Sequence, residues 1–281
     1  LPSRIFRDDL LEGQVCLVTG GGTGIGVATA RELARLGATV VIASRKREVI
    51  ERAAAGLTAE VGREVFAIPC DIRDREQVSA LVAETLRAHR RLDVLVNNGG
   101  GQFFAPAQAI SGRGFDAVIA TNLTGAWNLT REVADRWMLA HGGCVTNVTM
   151  LTGGAFPGMA HSVAARAGVE AMTRTLAIEW ASHGVRINSI APGFVASSGI
   201  QRYPAGLSIM DQIQSKVPLK RLATTEEIAW WIVSLATPMG AYVTGQTFTI
   251  DGGKSLWGDW WPIADPASLG PVVVPKEPWE E

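Results

Sequence analysis

Between Thr19 and Gly26 the chain reads TGGGTGIG, directly after the apolar run VCLVT (15–19) and at the opening of a stretch with helical period from Ile25. Gly20 permits a tight bend, Gly24 lets backbone approach a pyrophosphate, and Gly26 lets the helix pack closely on the strand. A strand, a glycine turn and a helix N-terminus in that order cradle an anion, so dinucleotide binding is the expected chemistry. The three residues between Gly20 and Gly24 depart from the commoner fingerprint. Where an NAD site would place an acid for the ribose hydroxyls, the run TVVIA (39–43) leads into Ser44, Arg45 and Lys46. Donors of that kind suit a 2'-phosphate, which makes NADPH the expected cofactor. A solvated charge run at the start of a helix is the alternative. Asp71, in the string CDI with Ile72, is expected to hold the adenine amino group. Asn97, Asn98 and Gly99 end the fourth apolar run beside the cofactor.

These residues need a scaffold, and the rest of the chain describes one. After the second run and a polar helix to about Val61 come EVFAI (64–68), VLVNN (94–98), CVTNV (144–148), VRINSIA (185–191) and TFTI (247–250), with helical patterns between most of them. Near-continuous apolar strands with crossover helices predict a parallel sheet covered on both faces. The expected fold is α/β: a single-domain Rossmann fold, doubly wound, of about seven parallel strands. The domain is drawn over residues 1–253, with a substrate lid at 198–222 and a Pro- and Trp-rich tail at 254–281.

Composition narrows the function class. The chain has 281 residues, 47% of them hydrophobic, enough for one large domain without staples. A formal net charge of -1 from well-mixed charges offers no stripe for a phosphate backbone, so nucleic acid is not expected as a partner. The three cysteines, Cys16, Cys70 and Cys144, lie in or beside apolar runs without metal-ligand spacing, and no metal is expected. No run reaches the roughly 18 residues of a membrane span. The last three residues, Trp279, Glu280 and Glu281, are no peroxisomal address, and a soluble cytoplasmic protein is expected.

The strings TGGGTGIG, CDI, NNGG, the pair Asn122-Leu123 and PGFVAS (192–197), in that order, resemble the short-chain dehydrogenase/reductase family over roughly residues 12–253. The resemblance implies that Thr23 and Ile25 join the glycines at the cofactor. It also implies that Pro192, Gly193 and Val195 line the nicotinamide and that Ser197 stands where the family usually has threonine. Counted along the same pattern from Asn122, the family's catalytic serine falls on Thr149, its tyrosine on Ser162 and its lysine on Arg166. Asn122 is then expected to bend its helix and hold a water.

That triad departs from the family in its chemistry. A serine hydroxyl cannot replace a phenol as an acid near neutrality, and an arginine, with a pKa above about 12, holds ribose hydroxyls or anions but relays no protons. Losing a positioned acid costs on the order of 10²- to 10⁴-fold, which argues against ordinary alcohol and ketone chemistry. The chain has only two tyrosines, Tyr203 in the lid and Tyr242, the latter expected to be structural. The strings NNGGGQF (97–103), GGCVTNV (142–148) and HSVAARAGV (161–169) resemble trans-2-enoyl-CoA reductases of the peroxisomal type, themselves similar to 2,4-dienoyl-CoA reductases. Such enzymes send hydride to Cβ of an enoyl thioester and stabilise an enolate oxygen. Thr149 is the first candidate donor to that oxygen, Tyr203 the second and Ser162 the third. The Cα proton is expected from Tyr203 or from a water near Asn122. His161 is set aside as a loop histidine.

In the lid, Leu207, Met210, Ile213 and Val217 recur at helical spacing and predict an apolar cover for an acyl chain. Arg202, Lys216, Lys220 and Arg221 either meet the phosphates of coenzyme A or are ordinary solvated residues. Trp257, Trp260 and Trp261 carry too much aromatic surface to leave wet, so the tail is expected to dock on another subunit of a homo-oligomer, a homotetramer by preference. Two other functions stay open: a carbonyl or 3-oxoacyl reductase with an unusual proton donor, and an NADP(H)-binding protein without catalysis.

Overall fold

The computed structural model describes residues 7–197, 215–258 and 261–266. Each apolar run becomes a strand: β1 (Val15–Thr19), β2 (Thr39–Ser44), β3 (Val65–Pro69), β4 (Val94–Asn97), β5 (Gly143–Val148), β6 (Val185–Pro192) and β7 (Thr247–Ile250). They form a 7-stranded sheet in the order β3-β2-β1-β4-β5-β6-β7, parallel throughout. Winding reverses between β1 and β4, so the connections leaving those two strands part to opposite faces and open a crevice at their carboxyl ends.

Period-two alternation assigns each strand residue to a face. Cys16 and Val18 face a layer made by α1 (Gly24–Arg35), α2 (Arg47–Val61) and, late in the chain, a helix Thr225–Ala236. Val15 and Leu17 face the opposite layer, built first by α3 (Arg75–His89). The next helical segment starts as α4 (Gly112–Ile119), capped by Ser111, and continues as α5 (Gly125–Val133) and the short α6 (Leu139–His141). The π-helical turns Ala120–Thr124 and Ala134–Met138 interrupt it. Next comes α7 (Ala160–Glu179), and Thr225–Ala236 is therefore α8. Leu129, Val133, Met138, Leu176 and Ala177 complete the second layer.

Polar groups inside this core are paired in a chain across the sheet. Asn97 Nδ2 donates to Thr130 Oγ1 and to Asn147 Oδ1, both at 2.8 Å, and Asn147 Nδ2 donates to Thr173 Oγ1 at 2.9 Å. Thr173 Oγ1 in turn lies 2.9 Å from Ser189 Oγ. The chain ties β4, β5 and β6 to α5 and α7, holding the strand ends in register beneath the crevice. The three cysteines are buried and unpaired, and burial pushes the Cys70 thiol up to about 11, so these thiols are core groups rather than nucleophiles. Among the described residues no helix is long and apolar enough to cross a membrane, and no group of three His, Cys, Asp or Glu could hold a metal.

At the start of α8, Thr224 Oγ1 accepts from Glu227 N at 3.2 Å while Glu227 Oε2 accepts from Thr224 N at 2.8 Å, a reciprocal cap. Thr224→Ala is expected to cost about 1 kcal/mol and lower the melting temperature by about 2–4 °C, read by thermal denaturation against the parent chain.

Candidate active site

At the switch point the ends of β1 and β4 are joined by side chains. Thr19 Oγ1 accepts from Gly99 N at 2.9 Å and Asn98 N at 3.1 Å and donates to Val96 O at 3.2 Å. Asn98 Nδ2 answers by donating to Thr19 O at 3.0 Å and Gly20 O at 3.2 Å. The glycine loop is pressed against this joint. Gly20 has φ +63°, and a Cβ on Gly26 would lie 2.2 Å from Gly20 O. Thr23 takes the N-cap position of α1, whose first amides point into the crevice. A cradle this close to backbone fits a dinucleotide pyrophosphate.

The sequence-derived cofactor residues fall into two groups. Gly20, Thr23, Gly24, Ile25, Pro192, Gly193, Val195 and Ser197 line one cleft of about 370 Å³, with Ser197 across from Gly24. Gly193 packs so tightly on Asp251 that a Cβ there would come within 2.8 Å of its Cα. Ser44 ends β2 and Arg45 and Lys46 follow it, the two cations exposed, where the first turn of α2 abuts the loop: a Cβ on Gly22 would come within 2.9 Å of Val49. Asp71 is paired with Arg73, with Nη2 2.5 Å from Oδ2, and that bond, reinforced by charge from Arg45, holds its carboxyl below the usual range. Ile72 packs under Gly99 and Gly125. Asn97, by contrast, points away from the cleft into the polar chain described above, because alternation along β4 gives the cleft to Asn98.

The candidate catalytic residues come from β5, α7 and the π turn. Asn122, buried in that turn, clamps Gly101 from both sides: Oδ1 accepts from Gly101 N at 3.0 Å, and Nδ2 donates to Gly101 O at 2.8 Å. Arg166 Nη1 donates to Val148 O at 2.7 Å and Nη2 lies 3.5 Å from Asn122 Oδ1. Gly100 threads between them, with room for no Cβ. Thr149 lines the cleft, but its hydroxyl donates to Glu170 Oε1 at 3.0 Å, with Ile190 O at 3.3 Å as a second acceptor. Thr152 Oγ1 donates to the other carboxylate oxygen at 2.6 Å. With its hydrogen directed at Glu170, Thr149 presents lone pairs to the cleft.

Ser162 is fully buried, its hydroxyl donating to Gln102 Oε1 at 2.8 Å. His161 is equally buried. Its Nδ1 accepts from Ser162 N at 2.8 Å, Nε2 finds no hydrogen-bond partner among the described residues, and its ring meets Phe103 edge to face at 4.4 Å. It is a core histidine rather than the satisfied loop histidine expected. Tyr203 and Arg202 lie outside the described residues, as do Leu207, Met210, Ile213 and Trp260. Phe103, Phe104, Met150 and Phe194 supply the cleft's apolar wall.

The basic residues near the lid divide. Arg221 pairs with Glu227 through two parallel hydrogen bonds, at 2.8 and 2.7 Å. Lys220 is buried at φ +58°, with its ammonium 5.2 Å from the Trp257 ring centre and 3.9 Å from Asp265 Oδ1. Lys220 is turned inward, neither solvated nor offered to a phosphate, because the chain after Gly252 folds back over 217–220, whereas Arg221 stays exposed with its charge matched by Glu227. Tyr242, expected to be structural, stands wholly exposed. Gly100, Gln102 and Glu170 were not among the residues singled out. Gly100 and Gln102, as members of the NNGGGQF string, carried the only signal.

A family model described as Enoyl-(Acyl carrier protein) reductase matches residues 20–255. The peroxisomal 2,4-dienoyl-CoA reductase of Danio rerio is 38% identical over 258 residues, 90% of this chain and 85% of that protein. The 3-oxoacyl-[acyl-carrier-protein] reductase of Synechocystis is 38% identical over 252 residues, 88% of this chain and 99% of that one. Among solved structures, a citronellol catabolism dehydrogenase of Pseudomonas aeruginosa PAO1 superposes with a TM-score of 0.80 at 43% identity, covering 90% of this chain and 100% of that one.

Gly26→Ala forces the loop off its backbone seat. It is expected to weaken binding of the reduced nicotinamide dinucleotide by more than about tenfold, or 1.4 kcal/mol, in a fluorescence titration, with the circular dichroism spectrum unchanged.

Proposed function

This chain belongs to the short-chain dehydrogenase/reductase family and is one of its oxidoreductases, and on that premise we propose that it reduces the carbon-carbon double bond of a trans-2-enoyl thioester with NADPH. The observation that carries the reading is the fate of the phenol position. Ser162 there is sealed from the cleft and bonded to Gln102, and Arg166 is bonded to Val148 O, so the site has no tyrosine-lysine pair to protonate an alkoxide. Pro192, Gly193 and Val195, the proposed wall for the nicotinamide, nevertheless line the cleft.

Bound NADPH supplies the hydride, which an enoyl thioester accepts at Cβ. The chain's residues do the rest. The glycine loop and the first amides of α1 bind the pyrophosphate, and Arg45 and Lys46 bind the 2'-phosphate. Arg166 steadies the nicotinamide ribose, while Asn122 fixes the floor through Gly101. Electron density moves from Cβ through the alkene to the thioester oxygen. That growing charge competes with Glu170 for the Thr149 hydrogen and draws it across, so Thr149 becomes a donor when the enolate forms. The Cα proton comes from Tyr203 or from a water near Asn122. The apolar wall around Phe103 and Phe104 takes the acyl chain, and coenzyme A is the carrier we favour. The dienoyl-CoA reductase relative supports this class. The alternative, reduction of a 3-oxoacyl thioester, is supported by the Synechocystis relative.

Residues 198–222 are proposed as the lid. Exposed Trp230, Trp231 and Trp261 support a homo-oligomer, with a tetramer as the proposed state and the tail beyond 254 contributing to its contacts.

With purified protein, NADPH oxidation is expected with trans-2-enoyl-CoA and little with 3-oxoacyl-CoA; a clear preference for the oxo substrate sinks the proposal. Thr149→Val is expected to lower kcat by about 10²- to 10³-fold. Replacing Arg45 and Lys46 together by alanine is expected to cut the preference for NADPH over NADH by about tenfold or more, measured as the ratio of kcat/KM values.

A further inference from the structure

The phenol's absence leaves its space to Gln102. Ser162 is 0% exposed, so its hydroxyl cannot reach a substrate. It is aimed instead at Gln102 Oε1, 2.8 Å away, with the thioether of Met150 at 3.4 Å as a weak alternative acceptor. Behind it the Ser162 amide donates to His161 Nδ1 at 2.8 Å within the same turn of α7, and the His161 ring packs edge to face on Phe103, the residue after Gln102. Gln102 itself lines the cleft, on a segment whose preceding residue, Gly101, is clamped at both N–H and C=O by Asn122.

Backbone and side-chain tip are thus fixed independently. With its carbonyl oxygen turned towards α7, the carboxamide presents its nitrogen at the opposite corner. That nitrogen carries two hydrogens, of which an oxyanion needs one.

We propose that the Gln102 carboxamide, oriented by Ser162, donates a hydrogen bond to the substrate oxyanion where the family's phenol would act, with Ser162 as a positioning residue. The identity of that oxyanion as a thioester enolate rests on the enoyl reading; the donor role does not. An amide stabilises negative charge but has no proton to surrender. It therefore suits an enolate, which is later protonated on carbon, and serves poorly for an alkoxide, which must be protonated on oxygen. Gln102 and Thr149 reach the cleft from different elements and form a two-donor cradle, with Glu170 behind one and Ser162 behind the other.

The test is a double-mutant cycle on the full chain, using Gln102→Leu, Ser162→Ala and the pair, with NADPH affinity titrated for each. Gln102→Leu is expected to lower kcat and kcat/KM together by about 10²-fold with NADPH binding unchanged, the pattern of an interaction made only in the transition state. Ser162→Ala is expected to lose about tenfold in kcat, and to lose nothing further once Gln102 is leucine. Wild-type kcat in Gln102→Leu overturns the proposal, as does a Ser162 effect that persists undiminished in the Gln102→Leu background. A drop in NADPH affinity that accounts for the whole loss also overturns it, making Gln102 a cofactor ligand. Failure of the enoyl reading registers separately, as a wild-type preference for the 3-oxoacyl thioester. The same cycle is then read on that substrate, whose reduction also places charge on an oxygen.

Discussion

The joint between Thr19 and Asn98 is the constraint on which the rest of the site depends. Where winding reverses, β1 and β4 send their chains to opposite faces, and their last backbone groups lose sheet partners just where a cleft must open. One hydroxyl and one carboxamide satisfy those groups, Thr19 through two amides and a carbonyl, Asn98 through two carbonyls. The glycine loop then has a fixed wall to press against, close enough that Gly20 and Gly26 admit no side chain. Removing that joint would unseat the cradle before it touched any cofactor contact.

A second economy lies in α7. Ser162, Arg166 and Glu170 are spaced four apart, so one helical stripe delivers a positioning hydroxyl, a guanidinium and a buried carboxylate to the same wall. Each engages a different partner: the 99–106 segment through Gln102, the end of β5 through Val148 and Thr149, and the π turn through Asn122. Exchanging tyrosine and lysine for serine and arginine has therefore not emptied the site. The side chains form a bracing network, and the cleft is lined instead by Gln102, Thr149 and the phenylalanines. This division suits the proposed reaction, in which an enolate oxygen is stabilised and carbon is protonated.

Much of the fold was legible because it is written in short-range terms. Seven apolar runs with crossover helices leave few arrangements, and the glycine spacing marked the first turn. Much of the cleft lining was legible for the same reason: Gly20, Gly24 and Gly26 are demanded by local backbone geometry, and Pro192 to Ser197 run from the end of a strand. What stayed hidden were residues whose roles come from distant partners. Glu170 lies 21 positions from Thr149, and Ser162 lies 60 from Gln102. Nothing in local pattern distinguishes a helical glutamate that closes a hydroxyl network from one that faces water.

By itself, then, the sequence determined the layered α/β architecture, the dinucleotide cradle and the loss of the phenolic acid, since each depends on residue type and near spacing. Tertiary structure alone decided that Asn97 turns inward while Asn98 joins the strands, that the Thr149 proton is aimed at Glu170, and that Lys220 faces inward. Those outcomes depend on which groups packing brings within about 3 Å, a distance no one-dimensional spacing encodes.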